Sequence, residues 1–276
     1  MRRHIPYLSL LILSLMAALT VQAKAANDSE VWNGLRQTYF DDRPIKDGAG
    51  VIGLVTPIRA EDAAIVPITI KDLLPVNSKR RISKIWLVID NNPVPMSAIF
   101  NFTPLAGRAD IATRVRVNAY THMRAIAQTN DGALYMARRY VKASGGCSAP
   151  ASKDPQAALA HLGEIRLKTY GESARLGKPR QVLLMIHHPN NTGLQMNQLT
   201  RLYTPAHFVK HISVNFAGKS VLTANSTFSF SENPSFRFYF QPQEPGQLTA
   251  RVVDNKNLHF THSLPVGALS AQLTTR

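Results

Sequence analysis

The chain is 276 residues long, 45% apolar, and carries a formal charge of +15 with a single cysteine. That length allows one large globular domain or two ordinary ones, and one cysteine excludes any disulfide framework within the chain. So basic a chain attracts polyanions, but its N-terminus reads as an export signal, which excludes nucleic acid and leaves an acidic protein surface as the fitting partner.

Arg2 and Arg3 form a basic n-region, Tyr7 to Leu19 is apolar apart from two serines, and small residues follow at Val21-Gln-Ala-Lys-Ala25. Residues 1–23 are therefore expected to be a cleaved signal peptide, placing the mature chain in the periplasm and off the membrane. No second apolar run approaches the length of a membrane span. The Asp28–Ser29 pair is placed to cap a helix running to about Phe40, with Val31, Trp32, Leu35 and Tyr39 on one face.

From Val51 onward, short apolar runs are separated by Pro, Gly, Asn and Asp, and helical periodicity fades. Strands are expected at Ile52–Pro57, Ile65–Ile70, Ile82–Ile89 and Ala98–Phe102, then a long bent one at Ala112–Ala127. Thr129-Asn-Asp-Gly132 is a hairpin turn, and Ala133–Ala143 is its return strand. After Ser148, the proline- and alanine-containing stretch to residue 161 reads as a linker. Strands resume at Glu164–Tyr170, Gln181–His187, His207–Phe216, Ser220–Phe230, Ser235–Gln241, Gly246–Asp254 and Leu258–Ser263. Both halves carry an Asn-Pro pair ahead of an apolar strand, at Asn92-Pro93 and Asn233-Pro234, and each closes on a long hairpin. The fold class expected is mainly β, with two immunoglobulin-like sandwiches over residues 24–147 and 162–276 joined by a linker at 148–161.

Between the return strand and the linker lies Tyr140-Val-Lys-Ala-Ser-Gly-Gly-Cys-Ser-Ala-Pro150. Gly145, Gly146 and the small residues around Cys147 leave nothing local to bury the thiol, so a flexible arm with a reactive tip is expected. In an oxidising compartment a lone cysteine is free, joined to another chain as a disulfide-linked dimer, or carrying a covalent group.

These features resemble the Sox sulfur-oxidation family. Gly-Gly-Cys at the end of a β-domain resembles the swinging arm of the SoxY carrier subunit. So do Ala60-Glu-Asp-Ala-Ala-Ile-Val-Pro67, Asp90-Asn-Asn-Pro93, Thr113-Arg-Val-Arg-Val117 and Asp131-Gly132. The second half is similar to the partner subunit SoxZ through His188-Pro189 with Gly193, Ser231-Glu-Asn-Pro234, Gly246 and Asp254. Both in one polypeptide resemble the fused SoxYZ-like carriers associated with quinoprotein dehydrogenases. The resemblance implies a carrier, not an enzyme, holding a sulfur intermediate on Cys147 with Gly145 and Gly146 as the arm. It implies no cofactor beyond that adduct, and periplasmic redox partners: Sox-type enzymes, or a quinoprotein dehydrogenase or cytochrome. SoxY arms end in Gly-Gly-Cys-Gly-Gly at the chain terminus, whereas here Ser148-Ala-Pro150 and a second domain follow.

Three rival readings remain. A cysteine hydrolase needs a fixed base beside the nucleophile, which a double-glycine arm does not provide. Metal binding would draw on His187 and His188, or on His207 and His211, but the apolar alternation from Phe208 to Val214 fits ordinary strand positions. A non-catalytic adaptor would bind a dehydrogenase or cytochrome without using the thiol.

Overall fold

The computed structural model describes residues 30–41, 43–76, 78–150, 159–170, 176–197 and 200–267. The expected signal peptide, the Asp28–Ser29 cap and residues 151–158 of the expected linker lie outside the described residues. The chain divides into two compact units between Arg43 and Pro44. In the first, residues 30–40 are helical, and the rings of Trp32 and Phe40, eight residues apart and so on one face, lie 6.3 Å from each other.

The second unit is mainly β. Its strands are β1 (Ile45–Asp47), β2 (Ile52–Val55), β3 (Val66–Asp72), β4 (Ile82–Ile89), β5 (Met96–Phe102), β6 (Ile111–Val115), β7 (Thr121–Thr129) and β8 (Leu134–Val141). Then come β9 (Ile165–Tyr170), β10 (Arg180–Ile186), β11 (Val209–Phe216), β12 (Lys219–Ser226), β13 (Ser235–Phe240), β14 (Gly246–Asp254) and β15 (His259–Val266). They form two sheets, one of nine strands ordered β1-β8-β7-β4-β5-β12-β11-β14-β15 and one of six ordered β2-β3-β6-β13-β10-β9.

Leaving aside short β1, each half gives four strands to the larger sheet and three to the smaller, the complement of an immunoglobulin-like sandwich. The halves join along both sheets. β5 and β12 pair antiparallel from Phe102–Leu222 to Ala98–Ser226, and β6 meets β13 at Ala112–Arg237. In a separate half, β5, β6, β12 and β13 would each leave one row of backbone donors and acceptors unpaired; here they satisfy each other. Phe100, Phe230, Phe236 and Val214 belong to one buried cluster with Ile68 and Leu87, so the hydrophobic core runs through both halves.

The alternation read from sequence is the physical cause of this layering. β10 runs buried–half-buried throughout, and Val182, Leu184 and Ile186 point inward. The stretch 112–127, expected as one bent strand, is two strands in different sheets. β6 lies in the smaller sheet and β7 in the larger, and residues 116–120 cross between them. That crossing segment supports the site.

Candidate functional site

β8 delivers the chain to the Gly-Gly-Cys stretch, and loop contacts then hold it. Lys142 donates its amide to Ile58 O and accepts from Ala60 N, so the segment leaving the sheet runs along the 58–64 loop. Gly145 N donates to Asn118 O and Gly146 N to Val117 O, both at 2.9 Å. Ser148 N and Ala149 N then fold back onto Gly145 O. The expectation of an exposed thiol on a free arm is therefore corrected: Cys147 has 0% relative exposure. The groups that bury it are not its neighbours along the chain but come from segments distant in sequence.

The two glycines have different tasks. Gly145 adopts φ +81° with open space where a side chain would be, so what it supplies is the left-handed backbone. Gly146 is a close approach: a Cβ there would collide with the Ala63 carbonyl and lie 2.7 Å from Val117 O.

The second half closes the site. Thr192 Oγ1 donates to Cys147 O at 2.6 Å, and Gln195 Nε2 donates to Ala149 O at 3.2 Å. Gln195 Oε1 accepts from Thr192 N, so the two clamp residues fix each other. Arg116, 1% exposed, donates from Nη1 to Gly146 O at 3.0 Å, while its Nε has no hydrogen-bond partner. Burial pushes the Cys147 thiol up to about 11, only partly opposed by the Arg116 charge. Burial lowers Arg116 itself, with Cys147, Glu232 and Asp62 pulling the other way. In this conformation the sulfur is a protonated thiol and a poor nucleophile.

Arg116, Asn92, Thr192 and Gln195 were not picked out from sequence, although the first three sit inside stretches that carried the family resemblance. Asn92 is buried; its Nδ2 donates to Arg116 O and its Oδ1 accepts from Asn118 N, both at 2.9 Å. Asp90 beside it makes a buried two-pronged bond with Arg124, with Nη2 to Oδ2 at 2.6 Å. Asn92 thus holds the crossing segment whose carbonyls receive the two glycine amides. Ser231 Oγ donates to Ala64 O, tying the second half to the loop that packs on Gly146.

The histidines weighed as metal ligands divide. His188 and His207 meet at Asp254, with His207 Nε2 2.7 Å and His188 Nε2 3.6 Å from Asp254 Oδ2. His211 instead faces Asn225 on the sheet surface, its Nδ1 2.7 Å from Oδ1. His188 Nδ1 accepts from Asn190 N at 3.1 Å, so its ring proton sits on Nε2, directed to Asp254. At 3.6 Å from the carboxylate, His188 Nε2 makes no hydrogen bond and is buried without a hydrogen-bond partner. Metal-bound histidine normally donates through its second nitrogen, whereas here that nitrogen, Nδ1, accepts. Burial, with the neighbouring His207 charge, pushes His188 down to about 4, keeping it neutral. The cluster anchors the start of the loop that carries Thr192 and Gln195.

Comparison with known families matches Sulfur oxidation protein SoxY over residues 36–147 and Sulphur oxidation protein SoxZ over residues 167–265. Among solved structures, the sulfur carrier protein SoxY from Chlorobium limicola f thiosulfatophilum is 24% identical, with 44% of this chain and 99% of that chain covered and a TM-score of 0.38. A superoxide reductase (neelaredoxin) from Ignicoccus hospitalis is 14% identical over 42% of this chain and 87% of its own, with a TM-score of 0.26. Fibronectin(III)-like modules of Clostridium thermocellum CbhA are 10% identical over 81% and 90%, with a TM-score of 0.22. No curated protein matches the chain.

Proposed function

The chain belongs to the SoxYZ-like sulfur carriers, with SoxY and SoxZ domains in tandem, and on that premise we propose that Cys147 is the point of covalent attachment. The observation that carries this reading is that the lone cysteine is the last residue of the SoxY match and is clasped by Thr192 of the SoxZ match. The cargo is a sulfur-containing group joined to Cys147 Sγ through a sulfur–sulfur bond, as a persulfide or S-thiosulfonate. Forming such a bond from two reduced sulfurs removes two electrons, so loading requires a redox partner that accepts them. The site of action is the periplasm, a reading supported by the signal-like residues 1–23. The partners are Sox-type enzymes or a quinoprotein dehydrogenase with its cytochrome. The protein itself presents the intermediate and performs no turnover.

Because the carbonyls of Cys147 and Ala149 are the groups held by the second half, release of Thr192 and Gln195 frees the Cys147–Ala149 end of the arm without breaking a strand pairing in either sheet. The test is the intact mass of protein isolated from its own cells, before and after reductant. A reductant-labile mass increase that vanishes in Cys147→Ser supports the carrier. An unmodified thiol that also resists alkylation once Thr192→Val has loosened the clasp overturns it. A second reading, an adaptor that binds redox enzymes without using the thiol, is favoured by the burial of Cys147. It is separated by transfer: an adaptor keeps full function as Cys147→Ser.

A further inference from the structure

Both sheets present basic residues to solvent, and in the six-stranded sheet they border a groove at the junction of the two halves. Along the six-stranded sheet, the outward positions of β3, β6, β13 and β9 carry Lys71, Arg114, Arg237, Arg166 and Lys168, and among the described residues no outward position of that sheet carries a carboxylate. On the larger sheet the outward positions along the β5–β12 seam are uncharged, Ile99 and Asn101 on β5 and Thr223 and Asn225 on β12, while Lys84 of β4 lies opposite Asn101 with its Nζ 5.2 Å from the Trp86 ring. The cations surround an apolar pair. Leu183 is flanked by Arg237 and Lys168, and Met185 by Ser235 and Arg166. A groove runs over this pair between Pro67, Arg114 and Arg237, so it straddles the junction of the two halves. Arg114 Nη2 donates to Asn233 O at 3.3 Å, while its Nε has no hydrogen-bond partner.

One end of the groove is lined by His187 and Asn233. Asn233 Oδ1 accepts from His188 N, the residue that opens the loop carrying Thr192 and Gln195. At the junction, Arg114 lies two residues before Arg116, which holds Gly146 O. The groove therefore ends beside the segment that clasps Cys147.

We propose that this face is the docking surface for an acidic patch on a partner protein, and that docking places the partner next to the clasped thiol. The proposal rests on the carrier reading only for the identity of that partner as a client. Charge complementarity selects an anionic occupant. A methionine–leucine floor ringed mainly by arginine is the composition of a protein interface, where Arg, Met and aromatic residues are enriched and lysine is depleted.

The test uses the full chain and a fluorescent poly-L-glutamate as probe, with binding followed by polarisation at low and moderate salt. Arg114→Glu with Arg237→Glu should weaken binding by about tenfold or more, and added salt should weaken the wild type. Arg166→Glu with Lys168→Glu, on the exposed edge strand, should act in the same direction and guards against a folding defect in the first pair. Arg138→Glu with Arg251→Glu on the larger sheet makes the same charge change and should leave binding within about threefold. Equal losses in the two sheets would mean that net charge alone binds the probe, and the proposal fails. Tighter binding of phosphatidylglycerol vesicles or of a single-stranded oligonucleotide through the same arginines also overturns it. Cys147→Ser should bind the probe as the wild type does. If no adduct is found on Cys147 but the arginine pair still governs binding, the carrier reading falls and the surface stands; if the adduct is present but the arginines do nothing, the reverse holds.

Discussion

At the scale of single residues, the site sets reactivity by controlling burial. A thiol with an ordinary value of 9.0 pushed up to about 11 has its thiolate fraction at pH 7–8 cut by about a hundredfold. The raised value favours the protonated, stowed thiol below pH 9, and that preference is lost as pH rises through about 11. Alkylation of native wild type by iodoacetamide should therefore be slow at neutral pH and climb steeply between pH 9 and 11; a rate that levels off by pH 9 would contradict the buried state. Thr192→Val strands the Cys147 carbonyl in a buried site at a cost of about 1–3 kcal/mol, and should raise the neutral-pH alkylation rate by about tenfold or more while lowering the melting temperature by several degrees. Gly146→Ala should do the same more strongly, because the methyl has no room between Ala63 and Val117. Gly145→Ala meets no neighbour and loses only the backbone freedom, about 1–2 kcal/mol. If the two alanine variants alkylate at the same rate, Gly146 is not a packing position.

At the scale of elements, the crossing segment 116–120 is the piece on which the arm depends. It is held at Asn92, and the turn bearing Asn92 is in turn held by the buried Asp90–Arg124 pair, whose side chains are 0% and 4% exposed. Asp90→Ala leaves Arg124 charged and buried without its carboxylate, and should destabilise the protein by about 3–5 kcal/mol in urea titration. The isolated pair is not the point of comparison: replacing both partners with apolar residues of similar size should recover much of that loss. A loss below about 1 kcal/mol for Asp90→Ala would mean that water reaches Arg124 and the pair is not sealed.

At the scale of the whole molecule, two sheets that each run through both halves should make unfolding cooperative. Urea unfolding followed by far-UV circular dichroism and by tryptophan fluorescence should give one coincident transition, since the core of both halves is continuous. Two separated transitions would show that the β5–β12 and β6–β13 seams are weak. Proteolytic cleavage between Pro150 and Leu159 should leave two fragments that co-elute under native conditions, because those seams do not depend on chain continuity.

The sequence by itself determined the β class, nearly every strand, the two-fold repetition of the halves and the lone cysteine behind two glycines. These are local matters of alternation, turn residues and composition. The stretches at Asp90–Pro93, Thr113–Val117 and His188–Gly193 were legible as marks of family likeness, yet what they do was not. Only the tertiary structure brings them around one point, where Asn92 holds the backbone that receives the glycine amides, Arg116 holds Gly146 O and Thr192 holds Cys147 O. It also reversed the reading of the arm. Burial is decided by groups distant in sequence, and no pattern within Ser144–Pro150 could announce that the 58–64 loop and the second half would enclose the thiol. The join of the halves into two continuous sheets was hidden for the same reason, since an edge strand and a central strand are written with the same alternation until their neighbours are known.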